Sequence, residues 1–296
     1  MGRGISLRDT YIPVTSAASG IGQEIASDVF ALCIQVVNLC FVSHAQSGQW
    51  VLVDAGMPKS APDIAAAAEK RFGPGARPKA IVLTHGHFDH VGAVIDLAEQ
   101  WDVPVFAHEL EKPYLDGTSD YPEPDAGVEG GLVAKLSPLF PNGGIDLGSR
   151  LQSLPADGTV PFMPGWRWIH TPGHSPGHVS LFREQDRVLI AGDAFVTVRQ
   201  DSLYKVLTQM TEITGPPRYF TTDWEAARDS VAKLEALRPS VAVTGHGLPV
   251  SGEELAEGLA RLVRDFDSIA LPDYGRYVPE RSVQTDSAGQ GDRVLF

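Results

Sequence analysis

Seven side chains able to ligate a metal, His85, His87, Asp89, His90, His174, Asp193 and His246, lie at or just beyond short apolar runs. Four of them fall within six residues, in His85-Gly86-His87-Phe88-Asp89-His90. Imidazole nitrogens and carboxylate oxygens are the donors that a borderline cation such as zinc prefers, and a tight turn through Gly86 makes them converge. Along an extended stretch His85 and His87 project the same way and can grip one ion, while Asp89 and His90, entering a helix, face a second. Two such ions would hold a bridging hydroxide, lower its pKa, and clamp both an attacked carbonyl and its leaving group. The chemistry expected is metal-assisted hydrolysis, with Asp89 also able to relay a proton.

The elements that must place these groups alternate between strand and helix. Residues 32–42 and 49–54 read as two β-rich runs joined in a hairpin, the second ending at Asp54. Residues 62–72 are alanine-rich and stop at Gly73-Pro74-Gly75, which predicts a helix. The apolar run 80–84 predicts a buried strand leading straight into the histidine cluster, and 89–100 has helical spacing. Residues 103–107 form another short strand, and 111–165, rich in Pro and Gly, reads as a long covering loop. Beyond it, 166–170, 179–183 and 187–190 are strands, the last leading to Asp193. Residues 222–237 are a helix capped by Asp223, 241–244 a strand before His246, and 253–266 an amphipathic helix. From Asp273 the chain is a polar tail.

Composition narrows the class. The 296 residues are 43% hydrophobic, 21% charged and 8% aromatic, enough to bury a sizeable core. A net charge of −13 repels a polyanion, so no nucleic-acid partner is expected. The longest apolar stretch, 29–42, is broken by Gln35 and Asn38 and falls short of the roughly 20 residues a membrane span needs. The opening Met1-Gly2-Arg3-Gly4-Ile5-Ser6 fits the myristoylation pattern only loosely. Cys33 and Cys40, the only cysteines, read as lying on one strand with opposite orientation, which keeps them apart and fits a reducing cytoplasm.

In order and type, Asp54, His85/His87/Asp89/His90, His174, Asp193 and His246 resemble the motifs of the metallo-β-lactamase superfamily, over a span from about residue 30 to residue 250. The resemblance implies an α/β fold, a four-layer αββα sandwich with the metal site along one edge. It implies one domain over 1–272 carrying the cover segment 111–165, with the tail 273–296 outside it. It also implies that His85, His87 and His174 bind a first metal, that Asp89, His90 and His246 bind a second, and that Asp193 bridges them. The ions would be two Zn²⁺ per chain, with iron or manganese as alternatives. Asp54 is expected behind the ligands, accepting a hydrogen bond from the metal loop. His178 is either a similar support or a turn residue. Having both Asp89 and Asp193 resembles the glyoxalase II and lactonase-like branches more than the true β-lactamases.

The expected function is thus a dinuclear hydrolase acting on an ester, lactone, thioester or amide of a small molecule. The rival within the superfamily is a mononuclear iron sulfur dioxygenase. Oxygen reductases need a flavin domain for which there is no room, nucleases of the family carry basic arms, and non-catalytic relatives have lost ligands. The cover and the tail, with Tyr274, Tyr277 and Val278, suit a homodimer contact as well as a monomer. Phe195, Tyr204, Tyr219 and Trp224 are read as packing residues, with pocket lining as the alternative.

Two further motifs are decoys. Gly173-His174-Ser175-Pro176-Gly177 matches G-x-S-x-G, but Pro176 has no N–H to offer an oxyanion. Thr15 to Gly22 resembles the nucleotide loop of short-chain dehydrogenases, yet no Tyr-x-x-x-Lys follows. His44, His108 and His170 are assigned no chemistry.

Overall fold

The computed structural model of the chain describes residues 12–44 and 47–279; the myristoylation-like opening and residues 280–296 of the tail lie outside them. Strands β1 (Gly22–Ala26), β2 (Val29–Ile34), β3 (Val37–Ser43) and β4 (Trp50–Val53) form an antiparallel meander. To it β5 (Ile81–Val82), β6 (Val105–Ala107) and β7 (Leu151–Ser153) add in parallel, giving a seven-stranded sheet in sequence order. The second sheet holds β8 (Trp166–His170), β9 (Val179–Arg183), β10 (Val188–Gly192), β11 (Val241–Thr244) and β12 (Val250–Ser251), ordered β12-β11-β10-β9-β8.

Alternation along the strands assigns each side chain to a layer. Ala31, Cys40, Val42, Val51 and Val53 of the first sheet pack with Val179, Leu181, Val188 and Ile190 of the second, making the core between the sheets. Their neighbours Leu32, Leu39, Phe41 and Leu52 face outward onto α1 (Ala61–Phe72) and α3 (Val94–Trp101), through Ile64, Ala68, Leu97 and Trp101. Between those helices the chain makes the one-turn α2 (Phe88–Val91). On the far side Phe182, Leu189 and Ala242 pack under α7 (Trp224–Ala236) and α8 (Gly252–Arg264) through Val231, Leu234, Leu255 and Leu259. Helix, sheet, sheet, helix is the four-layer sandwich expected.

Several local expectations are corrected. Residues 32–42 are not one strand: the chain reverses at Gln35, whose φ is 57°, so Cys33 lies on β2 and Cys40 on β3. Because Ala31 pairs with Cys40, both cysteines face the same side of the sheet, two positions apart, and both are free thiols. The 89–100 helix is interrupted at Gly92, where a Cβ would sit 2.1 Å from the backbone nitrogen of Pro58.

The 111–165 segment is no plain loop. It contains α4 (Lys112–Leu115) and α5 (Leu132–Leu136) and contributes β7 to the sheet. The start of the tail is docked on it: the Asp273 N–H donates to Glu129 and the Tyr277 hydroxyl to the Glu123 carbonyl. After β10 comes α6 (Leu203–Thr208), and α9 (Phe266–Ile269) follows α8.

Candidate metal centre

Parallel strands deliver side chains from their carboxyl ends to a common edge, and four such ends meet here. Asp54 follows β4, His85 follows β5, Asp193 follows β10 and His246 follows β11. Asn38 joins the two sheets at this edge, donating through Nδ2 to the carbonyls of Thr244 (2.9 Å) and Gly247 (2.6 Å). His87 caps α2 in an extended conformation, so Asp89 and His90 occupy its only turn. Gly86 has no positive φ; a Cβ there would lie 2.6 Å from the Tyr121 hydroxyl, so what the position requires is space. Gly245 is needed in the same way, since its Cβ would fall 2.0 Å from Asp193 Oδ1.

All seven sequence-predicted ligand residues are buried and come together. Their ligand atoms form three groups suited to a metal ion: His85/His87/His174, His85/His90/Asp193 and Asp89/His90/His246. The atoms of each group lie within 4.8 Å of one another.

Hydrogen bonds behind the rings decide which nitrogen each presents. The Thr84 hydroxyl donates to Asp54 Oδ2 (2.8 Å), so it accepts from His85 Nδ1–H (3.0 Å) and leaves the His85 Nε2 lone pair bare. His90 Nδ1–H donates to Asp54 Oδ2 (2.8 Å), and His246 Nδ1–H to the Val36 carbonyl (2.8 Å). His85 Nε2, His90 Nε2 and Asp193 Oδ1 are buried with no hydrogen-bond partner. Leaving such atoms unpaired costs free energy, and a cation at their focus removes the cost. His87 Nδ1 and His174 Nε2 face each other at 2.8 Å, an approach that two lone pairs tolerate only with a proton or cation between them. The donor set fits divalent metal.

Electrostatics divide the cluster. Burial, reinforced by neighbouring imidazoles, drives His85 and His174 well below the usual histidine range. Burial also takes His87 down to about 4, against the pull of Asp89 and Asp193. At His246 the same burial is outweighed by Asp193 and Asp89, which raise it to about 10. His90 is likewise held up against burial by Asp193, Asp54 and Asp89. Burial would raise Asp193, but His246 and His90 hold it well below the carboxylate range.

Asp54, left-handed at φ 61°, accepts from the Thr84 N–H (2.8 Å), the Thr84 hydroxyl and His90. His178 is a support: its Nε2 accepts the Asp193 backbone N–H (2.8 Å), so its Nδ1–H donates to Thr171 Oγ1 (2.8 Å). Glu111 escaped the sequence reading. Fully buried, it accepts from the Gly86 N–H (2.9 Å), the Tyr121 hydroxyl, Ser175 Oγ (2.8 Å) and the Gly177 N–H (2.8 Å). It thereby ties the His85–His87 stretch to the His174 turn.

Ser175, the G-x-S-x-G serine, thus donates to a carboxylate, and the Thr15 to Gly22 loop runs into a strand where a nucleotide loop needs a helix. His108 stacks on His170 at 4.4 Å, apart from the cluster. Of the four aromatics, Tyr219 lines a cavity beside Asp89 and His246. Phe195 and Trp224 belong to the core, and Tyr204 is exposed.

Comparison with known proteins agrees with this geometry. Residues 36–246 match the family model of the metallo-beta-lactamase superfamily. The chain is 50% identical over 264 residues to the probable metallo-hydrolase YflN of Bacillus subtilis, covering 89% of this chain and 100% of that one. The hydroxyacylglutathione hydrolase GloC of Haemophilus influenzae is 28% identical over 117 residues, 39% of this chain and 49% of its own. Among solved structures, TTHA1623 in a di-iron-bound form superposes with a TM-score of 0.51 at 27% identity, covering 77% of this chain and 92% of that one. BJP-1, a subclass B3 metallo-beta-lactamase of Bradyrhizobium japonicum, shares the fold with a TM-score of 0.56 at 23% identity, covering 84% and 93%. With its fold, its buried His/Asp cluster and these matches, the chain belongs to the metallo-beta-lactamase superfamily and is a metallo-hydrolase of it.

Proposed function

We propose that this metallo-hydrolase is dinuclear and cleaves an ester, lactone, thioester or amide of a small molecule. The observation that carries the reading is the pair of ligand groups, His85/His87/His174 and Asp89/His90/His246, with Asp193 reaching toward both: its Oδ2 lies 3.4 Å from His174 Nε2 and 3.4 Å from His246 Nε2. These residues would hold two divalent ions, zinc first, with iron or manganese as alternatives. Ions there supply Lewis acidity to a carbonyl oxygen and lower the pKa of a water.

The chain's own groups do the rest. Asp89 lines the cavity with its carboxylate 3.2 Å from His246 Nε2. Burial raises its pKa, but His90 and His246 prevail and hold it below the carboxylate range, so it starts ionised and can carry a proton to the departing atom. Likeness to hydroxyacylglutathione hydrolases brings thioesters within the substrate range considered. The buried free thiols suit a cytoplasmic setting; among the described residues no helix is long and apolar enough to cross a membrane.

Elemental analysis of protein purified without added metal or chelator tests this, with about two zincs per chain expected. Asp193→Ala should lose both metal and turnover, the latter by about three orders of magnitude if ~4 kcal/mol of transition-state stabilisation goes with it. Full turnover by metal-free protein would overturn the reading. About one iron per chain would replace it with the iron sulfur dioxygenase.

A further inference from the structure

The cavity beside the ligands has a wall chemistry that selects a substrate. About 650 Å³ of empty space, open solvent included, lies between its lining residues, and Asp89 and His246 stand in its wall, so it is continuous with the metal centre. Away from those two residues the wall is largely hydrocarbon and aromatic, with Val36, Met57, Phe88, Phe140 and Val206 among its members. Among the described residues no lysine or arginine lines it. Leu132 and Leu136 of α5 also line it while remaining 55% and 42% exposed, which places an apolar lip at the edge of the space.

A charged arm lying along the wall away from Asp89 and His246 would shed its hydration and find no counter-charge among the described residues there. A hydrocarbon arm displaces water from apolar surface on both sides and is held in proportion to its length. We infer, building on the hydrolase reading above, that the substrate is a neutral ester, thioester or lactone whose acyl arm is a hydrocarbon chain lying along Phe88, Phe140 and Val206, with its carbonyl at Asp89 and His246. Water adds to the carbonyl carbon, the C–O or C–S bond breaks, and the departing oxygen or sulfur takes the proton. The products are an alkyl carboxylate and an alcohol or thiol, or one hydroxy acid from a lactone.

Two measurements decide the matter. In the first, the zinc-loaded chain is given p-nitrophenyl esters from acetyl to decanoyl. The expected kcat/KM rises about fourfold per methylene, the factor that follows from burying one CH₂, until the cavity is full. Leu132→Lys and Leu136→Lys, both at partly exposed positions that tolerate a lysine, should lower the octanoyl-to-acetyl ratio at least tenfold. A flat or falling series would overturn the inference, as would equal cleavage of an ester ending in a free carboxylate.

The second measurement separates the inference from the hydrolase reading. Calorimetric titration of the zinc-loaded chain with octanoate, acetate and octanedioate reports on the cavity without turnover. Octanoate should bind at least about 100-fold more tightly than acetate, and octanedioate, of equal length but charged at its far end, at least tenfold more weakly than octanoate. If no ester, thioester, lactone or amide is cleaved, the hydrolase reading fails while this order still tests the cavity. If octanoate and octanedioate bind alike, the apolar-arm inference fails whatever the turnover.

Discussion

Asp54 and Glu111 are both buried acids that hold the loop running from His85 to His90, and they hold different things. Asp54 receives a ring N–H from His90 and the hydroxyl that orients His85, so it sets the direction of ligand rings. The hydrogen bonds of Glu111 come from other groups than the ligand rings, namely the Gly86 and Gly177 N–H groups and the Ser175 and Tyr121 hydroxyls, and so set the spacing between two loops. The ligand groups differ in the same sense. His85, His87 and His174 are imidazoles kept neutral by burial, whereas His90 and His246 hold protons against Asp89 and Asp193. One group has lone pairs ready; in the other a divalent ion must replace protons that the carboxylates retain.

That contrast has its largest expected effect on the stability of metal-free protein. His87 titrates near 4 when folded and near 6.5 when unfolded, so the unfolded chain binds more protons between those values and stability falls as pH drops from about 6.5 to about 4. His246 runs the other way. Its folded value of about 10 means the folded chain holds the extra proton, so its contribution is complete below about 6.5 and is lost as pH rises toward 10. Melting temperature measured against pH in chelator should therefore peak near neutrality, with on the order of a few kcal/mol lost on each flank. Added zinc should flatten the alkaline flank, since the ion takes the proton's place at His246. A metal-free profile that keeps rising through pH 9 would break the division between the two groups.

Next in size is Asp54→Ala. It leaves the Thr84 N–H and His90 Nδ1–H buried without an acceptor, at roughly 1–3 kcal/mol for each. It also frees the ring of a ligand, for which a loss of about 10–100-fold in metal affinity is expected. The His90 side should suffer first: competition titration with a chelating dye should show one weakened zinc and one near normal. Equal weakening of both would mean that Asp54 acts on the whole loop.

How much of this could be read from residue order follows from the same two acids. Asp54 ends an apolar run, as do the histidine cluster and the stretch leading to Asp193, so period and punctuation locate them. The four layers came from the family resemblance instead: β3 and β4 are buried on both faces, and only the structure sorts Phe41 and Leu52 to one side and Val42 and Val53 to the other. Glu111 could be read from neither. It sits in Glu109-Leu110-Glu111-Lys112-Pro113, a stretch that reads as a solvated charge run at the start of a cover, and nothing local distinguishes it from Glu109, which remains exposed. Its burial depends on partners 10, 25, 64 and 66 residues away, which no periodicity reports. The break at Gln35 was missed for a related reason: both strands are largely apolar, and their two-residue join, Gln35-Val36, carries a single polar residue.

The smallest effect sharpens the comparison most. Glu111→Gln keeps the volume but puts one amide NH₂ against donors, so at least one of Gly86 N–H, Gly177 N–H, Ser175 Oγ and Tyr121 Oη loses an acceptor. Because two of these donors are backbone N–H groups, two are hydroxyls and none is a ligand ring, the loops separate slightly while each imidazole keeps its tautomer. The expected result is a fall of about tenfold in affinity at the His85/His87/His174 group, near the low end for residues behind metal ligands. The visible spectrum of the cobalt-substituted protein separates the outcomes. A changed spectrum for the first cobalt bound, with the second unaltered, assigns Glu111 to loop spacing; the pattern of Asp54→Ala reproduced in full would make the two acids equivalent and dissolve the distinction between ring direction and loop spacing.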